Sequence, residues 1–405
     1  MTASDMRSHT KPTIGIGLVL LLATSYASQE PTRATVNMKF EMMADRIASA
    51  LKLREGERVL IRFDPGYFNE LVEPLRRRIR ARGAIDLGAL EYVDSSSGRA
   101  DSAADQTKLK ARLLVQSQAF EQLLDAVDIY LWLPLREVGR EIPAPEALAL
   151  ARWLDKGGAR REIHFHWRLG SVLPDGLAGQ HTPELDEVYQ NALDIDYQAL
   201  SLTQDAAIAR LRSGTVRVQT PAGTSLTFKV GDRPFNRQNG DASFERMSAA
   251  RVRVDREIEL PAGVVRVAPL EVTVNGRIVI PQARFAGKTA RNLKLEIKDG
   301  RVTRVQADEN LSVVEAALTA GGESARSFRE FGLGFNPKLE THVGSDILPY
   351  FGYGAGIVRM SLGDNQELGG AVRGGFSRWF FFADATVDVD GQILVRNGKL
   401  ISPRR

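Results

Sequence analysis

The sequence predicts an α/β fold in two parts: an N-terminal βαβ parallel-sheet domain over residues 38–213, followed by a β-rich α+β domain over residues 214–405. Three observations carry this expectation. Up to residue 213, short apolar runs alternate with segments of helical apolar spacing, the pattern of crossover units on a largely parallel sheet. Beyond Thr215 the helical segments give way to closely spaced β-rich runs. The 405 residues are 43% apolar and 26% charged, with 36 Gly and 17 Pro spread along the chain; this supports real cores and excludes a disordered, collagen-like or low-complexity chain.

Residues 1–27 read as a separate export signal. Arg7 and Lys11 precede the apolar run from Ile14 to Ala23, and Ser25-Tyr26-Ala27 places small residues where a signal peptidase cuts. The run is shorter than the roughly 20 residues a spanning helix needs. Cleavage near Ala27 is therefore expected to leave no stable membrane anchor and to deliver the chain to the periplasm or the outside of the cell. Residues 28–37 read as a linker.

From Met38 to Leu53 apolar residues fall at helical spacing until Gly56 breaks the pattern. Arg58 to Phe63 then reads as a strand, Tyr67 to Arg82 as a helix ended by Gly83, and Ala84 to Val93 as a strand. The alternation continues with a helix over Lys108–Val127, a strand over Ile129–Leu135, a helix over Pro145–Lys156 and a strand over Glu162–Trp167. Past the boundary near Ser213 and Gly214, TVRVQTPAGTSLTFKV predicts a hairpin turning at Pro221–Gly223. The runs RVRV, EVTV, RIVI, LKLEI and RVTRVQ read as further strands.

The absence of cysteine excludes a disulfide framework, a thiol nucleophile, thiolate zinc and an iron–sulfur cluster. With 54 Lys+Arg against 50 Asp+Glu the net charge is only +4, so no nucleic-acid partner is expected. The basic run from Arg76 to Arg82 follows Glu70 and Glu73 on one helix and reads as an ion-paired face. No Ser-centred nucleophile elbow or P-loop is present, and Gly332-x-Gly334 lacks the third glycine of a dinucleotide loop. Of the histidines, His9 leaves with the signal. His164 and His166 alternate on one strand face near Glu162 and read more readily as partly buried side chains than as metal ligands.

Five stretches in order resemble the aminopeptidase T family of thermophilic two-metal aminopeptidases: LKLREGERVLI, TPAGTSLTF, ELPAGVVRVAPLE (Glu259 to Glu271), REFGLGFNP (Arg329 to Pro337), and GIVRMSLGDNQELGG (Gly356 to Gly370) running on to TVDVDG. The resemblance spans nearly the whole mature chain. It implies two domains, an active-site cleft in the second, and a homodimer. It also assigns ligand positions for two divalent metals. Pro261-Ala262-Gly263 is followed by Val264 where the family has Glu, Glu330 keeps the second ligand, and Arg359 stands where the family has His. Ser377 and Trp379 occupy the final His-x-Asp, and Tyr350-Phe351-Gly352-Tyr353 replaces the acidic catalytic stretch.

Two-metal hydrolysis depends on carboxylates and imidazoles to hold its cations, and arginine does not give up its proton to bind a metal. No metal or other cofactor is therefore expected, and no catalytic residue is assigned. Two arrangements fit the sequence at this point. Either the Arg359 guanidinium fills the vacated cation volume and forms a bidentate pair with Glu330, or Arg359 faces solvent and backbone amides cap Glu330. The aromatic residues Phe351, Tyr353, Trp379 and Phe380 to Phe382 suggest a more apolar cleft or, in part, a buried strand. Two function classes follow. One is a binding or scaffold protein, a pseudoenzyme holding a peptide or small ligand through Glu330, Arg359, Arg373 and Arg378. The other is an exported metal-dependent aminopeptidase or related hydrolase using Glu271, His342, Asp346 or Asp364.

Overall fold

The computed structural model describes residues 38–64, 68–91, 118–134, 144–165, 167, 169–171, 183–339, 347–349 and 352–401. The export signal, the linker, His166, His342, Asp346, Tyr350 and Phe351 lie outside them. In chain order the first elements are α1 (Phe40–Leu51), β1 (Arg58–Phe63), α2 (Asn69–Ala81), β2 (Ile85–Glu91), α3 (118–125), β3 (Ile129–Trp132), α4 (Ala144–Asp155), β4 (Arg161–Phe165), β5 (Leu169–Ser171), α5 (Pro183–Leu193) and α6 (Tyr197–Arg212). Where the expected elements fall on described residues they agree to within a few residues; residues 108–117 of the helix expected over Lys108–Val127, together with 67, 92–93 and 135 of the other expected elements, lie outside the described residues. The helices α5 and α6 were not expected, although Val188, Tyr189, Ala192 and Leu193 of α5 fall at helical spacing; Asp196 caps α6 by accepting from the Gln198 and Ala199 amides, both at 2.9 Å.

The chain continues through β6 (Val216–Gln219), β7 (Ser225–Phe228), β8 (Asn236–Arg237), α7 (Phe244–Ser248), β9 (Glu257–Leu260), β10 (Val264–Val267), β11 (Asn275–Phe285), β12 (Lys288–Lys298) and β13 (Arg301–Gln306). It ends with α8 (Leu311–Ala320), β14 (Phe328–Gly334), β15 (Ile347–Pro349), β16 (Val358–Gly363), β17 (Ser377–Phe382), β18 (Thr386–Val389), β19 (Gln392–Arg396) and β20 (Lys399–Leu400). The expected hairpin is β6 paired antiparallel with β7. Two expected strands are corrected: RVRV runs into a 3-10 turn at Arg253–Arg256, and EVTV forms another at Glu271–Thr273. In each, a short polar side chain outcompetes the sheet ladder. The Asp255 carboxylate accepts the Arg251 and Val252 amides, and the Thr273 hydroxyl donates to the Leu270 carbonyl at 2.6 Å.

A parallel sheet in the order β2-β1-β3-β4-β9 opens the fold. One face, carrying Val59, Ile61, Leu131, Ile163 and Ile258, joins the main core with Ile47 and Leu75 from α1 and α2. The other face packs Leu60 and Tyr130 against Leu124 of α3 and Trp153 of α4. The sheet takes its last strand, β9, from beyond residue 214. Two antiparallel sheets complete the main architecture: eight strands in the order β13-β12-β11-β7-β6-β18-β19-β20, and five in the order β17-β16-β14-β10-β8. Their apolar faces meet in the same core, where the Phe228 ring lies 5.2 Å from that of Phe331.

Pro261-Ala262-Gly263 carries the chain from the parallel sheet into the five-stranded one. Gly263 has φ +154°, and a Cβ there would fall 2.6 Å from the Cβ of Asn336. Asn336 in turn donates its side-chain amide to the Ala262 and Ala192 carbonyls at 2.7 and 3.0 Å. These two motifs lock the turn between the sheets.

Candidate functional site

Register places the five positions that the family resemblance assigns to metal ligands on one face of the five-stranded sheet. Val264 pairs with Gly334, Arg266 and Arg359 both pair with Gly332, and Ser361 pairs with Trp379. Because side chains alternate along a strand, Val264, Glu330, Arg359, Ser377 and Trp379 all project from this face, while Val265, Phe331, Met360 and Phe380 fill the core behind it. A bulge between Phe328 and Glu330 shifts the β14 register, and both Arg329 and Glu330 reach the same cluster.

Glu330 is fully buried and accepts from three arginines. Arg359 Nε donates to Oε1 at 2.7 Å, Arg266 donates to Oε2 at 3.0 Å, and Arg329 also donates to Oε2. The pair with Arg359 is thus a single hydrogen bond, and the expected bidentate fork is replaced by a carboxylate shared among three guanidiniums. Arg266 and Arg329 are further tied by Glu367, whose Oε1 accepts from Arg266 at 3.0 Å and from Arg329. Arg329 Nε donates to the Asp364 carbonyl at 2.6 Å. Gly332 lets Arg359 lie across the sheet: a Cβ there would sit 3.4 Å from the Cβ of Arg359 and 3.5 Å from its Nε.

Burial alone would raise the Glu330 carboxyl pKa, but Arg266, Arg359 and Arg329 outweigh it and hold the group far below the usual carboxylate range. Burial likewise disfavours the charged form of Arg266, and the charges of Glu330 and Glu367 more than restore it. The cluster connects to the parallel sheet through Tyr353, whose hydroxyl donates to Glu259 and whose ring lies 5.8 Å from the Arg359 guanidinium carbon. Burial and the Glu259 charge push the Tyr353 phenol well above its ordinary range.

Glu259 ends a polar row across the strand ends of the parallel sheet. Arg62, Trp132, His164 and Glu259 are successive cross-strand neighbours, with Glu162 and Glu257 paired in the row below. His164 Nε2 lies 2.8 Å from Glu162 Oε1. Burial would lower the imidazole pKa, yet Glu162 raises it to about 9. Glu257 is pushed up to about 7 by burial, with Glu162 adding to the shift and His164 opposing it.

Beside the arginine cluster lies a cleft of about 480 Å³ bordered by Asp155, Arg253, Arg329, Asp364, Glu367 and Ser377. Of the residues expected to bind a ligand, Glu330 and Arg359 meet in the cluster. Arg373 is exposed, and Arg378 turns to the other side of β17, over the Phe285 ring at 4.1 Å and bonded to the Arg284 carbonyl. The alternative ligands do not converge on Glu330. Glu271 accepts from Asn365 and the Ala371 amide at 3.0 and 2.9 Å and pairs with Arg233, while Asp364 accepts the Gln366, Gly374 and Gly375 amides. Sequence reading missed Arg266, Arg329 and Glu367. The only signal for the first two was an arginine inside an apolar strand motif and another directly before Glu330.

The architecture, a parallel-sheet region followed by antiparallel sheets that carry the site, is that of an aminopeptidase-T-like fold. Among the solved structures that share it are two at 16% identity. The 2,5-dihydroxypyridine dioxygenase from Pseudomonas putida KT2440 superposes with a TM-score of 0.60 at 16% identity, covering 91% of this chain and 99% of that one. Wild-type AmpT from Thermus thermophilus gives 0.57 at 16% identity, with 89% and 99% covered. A family model, NicX: 2,5-dihydroxypyridine 5,6-dioxygenase, matches residues 197–402, and the chain belongs to that family. No curated protein sequence matches it.

Ring-opening oxygenation and two-metal hydrolysis both use metals held by imidazoles and carboxylates. The residues on this face do not fit such an ion. A cation placed against Glu330 would face three guanidiniums, and the neighbouring positions offer Val264, Ser377 and Trp379. Among the described residues, no group of three or more His, Asp or Glu side chains is gathered to hold a metal.

Proposed function

We propose that this chain is a metal-free binding protein on the aminopeptidase-T-like fold, in which the guanidiniums of Arg359, Arg266 and Arg329 replace bound metal cations. The observation that carries this reading is the 2.7 Å bond from Arg359 Nε to the fully buried Glu330. That carboxylate already has its positive partners, and displacing them would strand buried charges at a cost of several kcal/mol. The site therefore functions as a rigid, charged wall beside the 480 Å³ cleft, with the ligand held in the cleft. We further propose export, from the Arg7, Lys11 and Ala27 pattern, and a homodimer; N-terminal sequencing of secreted protein and its sedimentation test these two points.

A second reading is favoured by the family match over residues 197–402: a metal-dependent oxygenase or hydrolase that completes its ligand set with His342 or Asp346. One experiment separates the two. Purified protein is assayed for bound metal, then for leucyl-anilide hydrolysis with cobalt or zinc and for oxygen uptake on 2,5-dihydroxypyridine with iron(II). The binding reading expects no stoichiometric metal and no metal-dependent turnover. Bound metal with turnover on either substrate would replace it with the second.

A further inference from the structure

We infer that the sheet face beside Glu330 receives the carboxylate head of a small organic anion, recognised by Ser361, Trp379 and Arg266 Nε. This deepens the metal-free reading and rests on it. Ser361 is completely buried at the centre of β16, and its hydroxyl has no hydrogen-bond partner among the described residues. Its cross-strand neighbour on β17 is Trp379, whose indole N–H is also buried without one, and Arg266 Nε shares that condition. Buried polar groups are normally satisfied. Here a hydroxyl, an indole N–H and a guanidinium N–H are left over on one face, and all three can donate to an acceptor. The Arg329 guanidinium carbon lies 5.3 Å from the Trp379 ring.

The unpartnered groups select the kind of ligand, since each can donate and none has an acceptor among the described residues. Arg266, Arg329 and Arg359 share the carboxylates of Glu330 and Glu367, which leaves one positive charge in excess within that group. The other carboxylates bordering the cleft keep their charge but are held: Asp364 accepts three neutral backbone amides while its charge acts on Arg329, and Asp155 lies 3.9 Å from Arg253. Access comes from the cleft, which Arg329 and Ser377 border; Ser377 precedes Trp379 by one alternation on the same face of β17. β17 is the edge strand, and Trp379 on it is partly exposed. Phe376 and Val252 supply apolar wall for a compact body.

The test uses the full chain after EDTA treatment, titrated with benzoate and, as a size-matched cation, with benzylamine, by tryptophan fluorescence and calorimetry. Benzoate is expected to bind saturably and benzylamine not. Trp379→Phe should remove the fluorescence response, and Ser361→Ala should weaken benzoate about tenfold while circular dichroism stays native, as for loss of one hydrogen bond to a charged group. Absence of saturable benzoate binding, equal binding of benzylamine, or unchanged affinity in Ser361→Ala would each overturn the inference. Benzoate binding that appears only after iron, zinc or cobalt is added would instead defeat the metal-free reading. If neither metal nor benzoate binds, that reading stands and this inference alone fails.

Discussion

Arg359 and Glu330 meet across neighbouring antiparallel strands, Nε to Oε1 at 2.7 Å, with Gly332 beneath the arginine and two further guanidiniums on the other carboxylate oxygen. A buried acid and three arginines form one ion cluster. Removing one member of such a buried cluster costs more than the cluster contributes, because the remaining charges stay desolvated.

Glu330→Gln should therefore be among the most damaging substitutions in the fold. It leaves three buried guanidiniums, two of them still paired with the partly exposed Glu367 and Arg359 without its carboxylate partner. A loss of about 3–5 kcal/mol is expected, read as a lowered urea midpoint with an unchanged denaturant slope. A change under about 1 kcal/mol, the size typical of a surface pair, would mean the cluster is solvated.

Acid should act through the same carboxylate. Glu330 has a folded pKa far below its ordinary 4.5, so its contribution is fully present above pH 4.5 and is lost as pH falls toward the folded value. Wild-type stability is expected to decline continuously below pH 4.5, with a steeper slope than that of Glu330→Gln. Parallel acid curves for the two proteins would contradict this.

His164 offers an independent check on the polar row that adjoins the cluster. Its pKa is raised from 6.5 to about 9, so the stability it contributes is complete below pH 6.5 and is lost as pH rises through about 9. NMR titration should find the imidazole still protonated at pH 8. In Glu162→Gln, where burial acts with the nearest carboxylate removed, the pKa should fall by more than one unit. A wild-type value at or below 6.5 would show that the His164–Glu162 contact does not form in solution.

Placing Glu and His at two positions of the sheet face should not create a metal site. In Val264→Glu with Arg359→His, Arg266 and Arg329 still hold Glu330, so the double variant is expected to remain without stoichiometric zinc by calorimetry. Tight zinc binding to it would show that Arg359 alone fills the cation volume.

Much of the fold was legible because apolar periodicity is local: β1 occupies Arg58–Phe63, the residues its apolar run marks, and β6 and β7 flank the expected turn. What was not legible depends on long-range pairing. The run ending in Leu260 reads as part of the second half, yet β9 pairs parallel with β4, and nothing in Glu257–Leu260 announces that partner. Pairing of Glu330 with Arg359 was one of the two arrangements that the family resemblance left open, and it forms through a single bond. The contributions of Arg266 and Arg329 could not, since an arginine in an alternating strand ordinarily faces water, and the bulge that brings Arg329 beside Glu330 has no sequence signature. RVRV and EVTV were misread because Asp255 and Thr273 bond their own backbone, a local competition that strand periodicity does not register.

The most direct measurement is elemental analysis of the full chain purified without chelator, followed by equilibration with iron(II), zinc and cobalt in turn. With guanidiniums seated on Glu330, no ion should be retained in stoichiometric amount under any condition. One or two equivalents retained, and lost on Glu330→Gln, would place a metal where the arginines are said to lie.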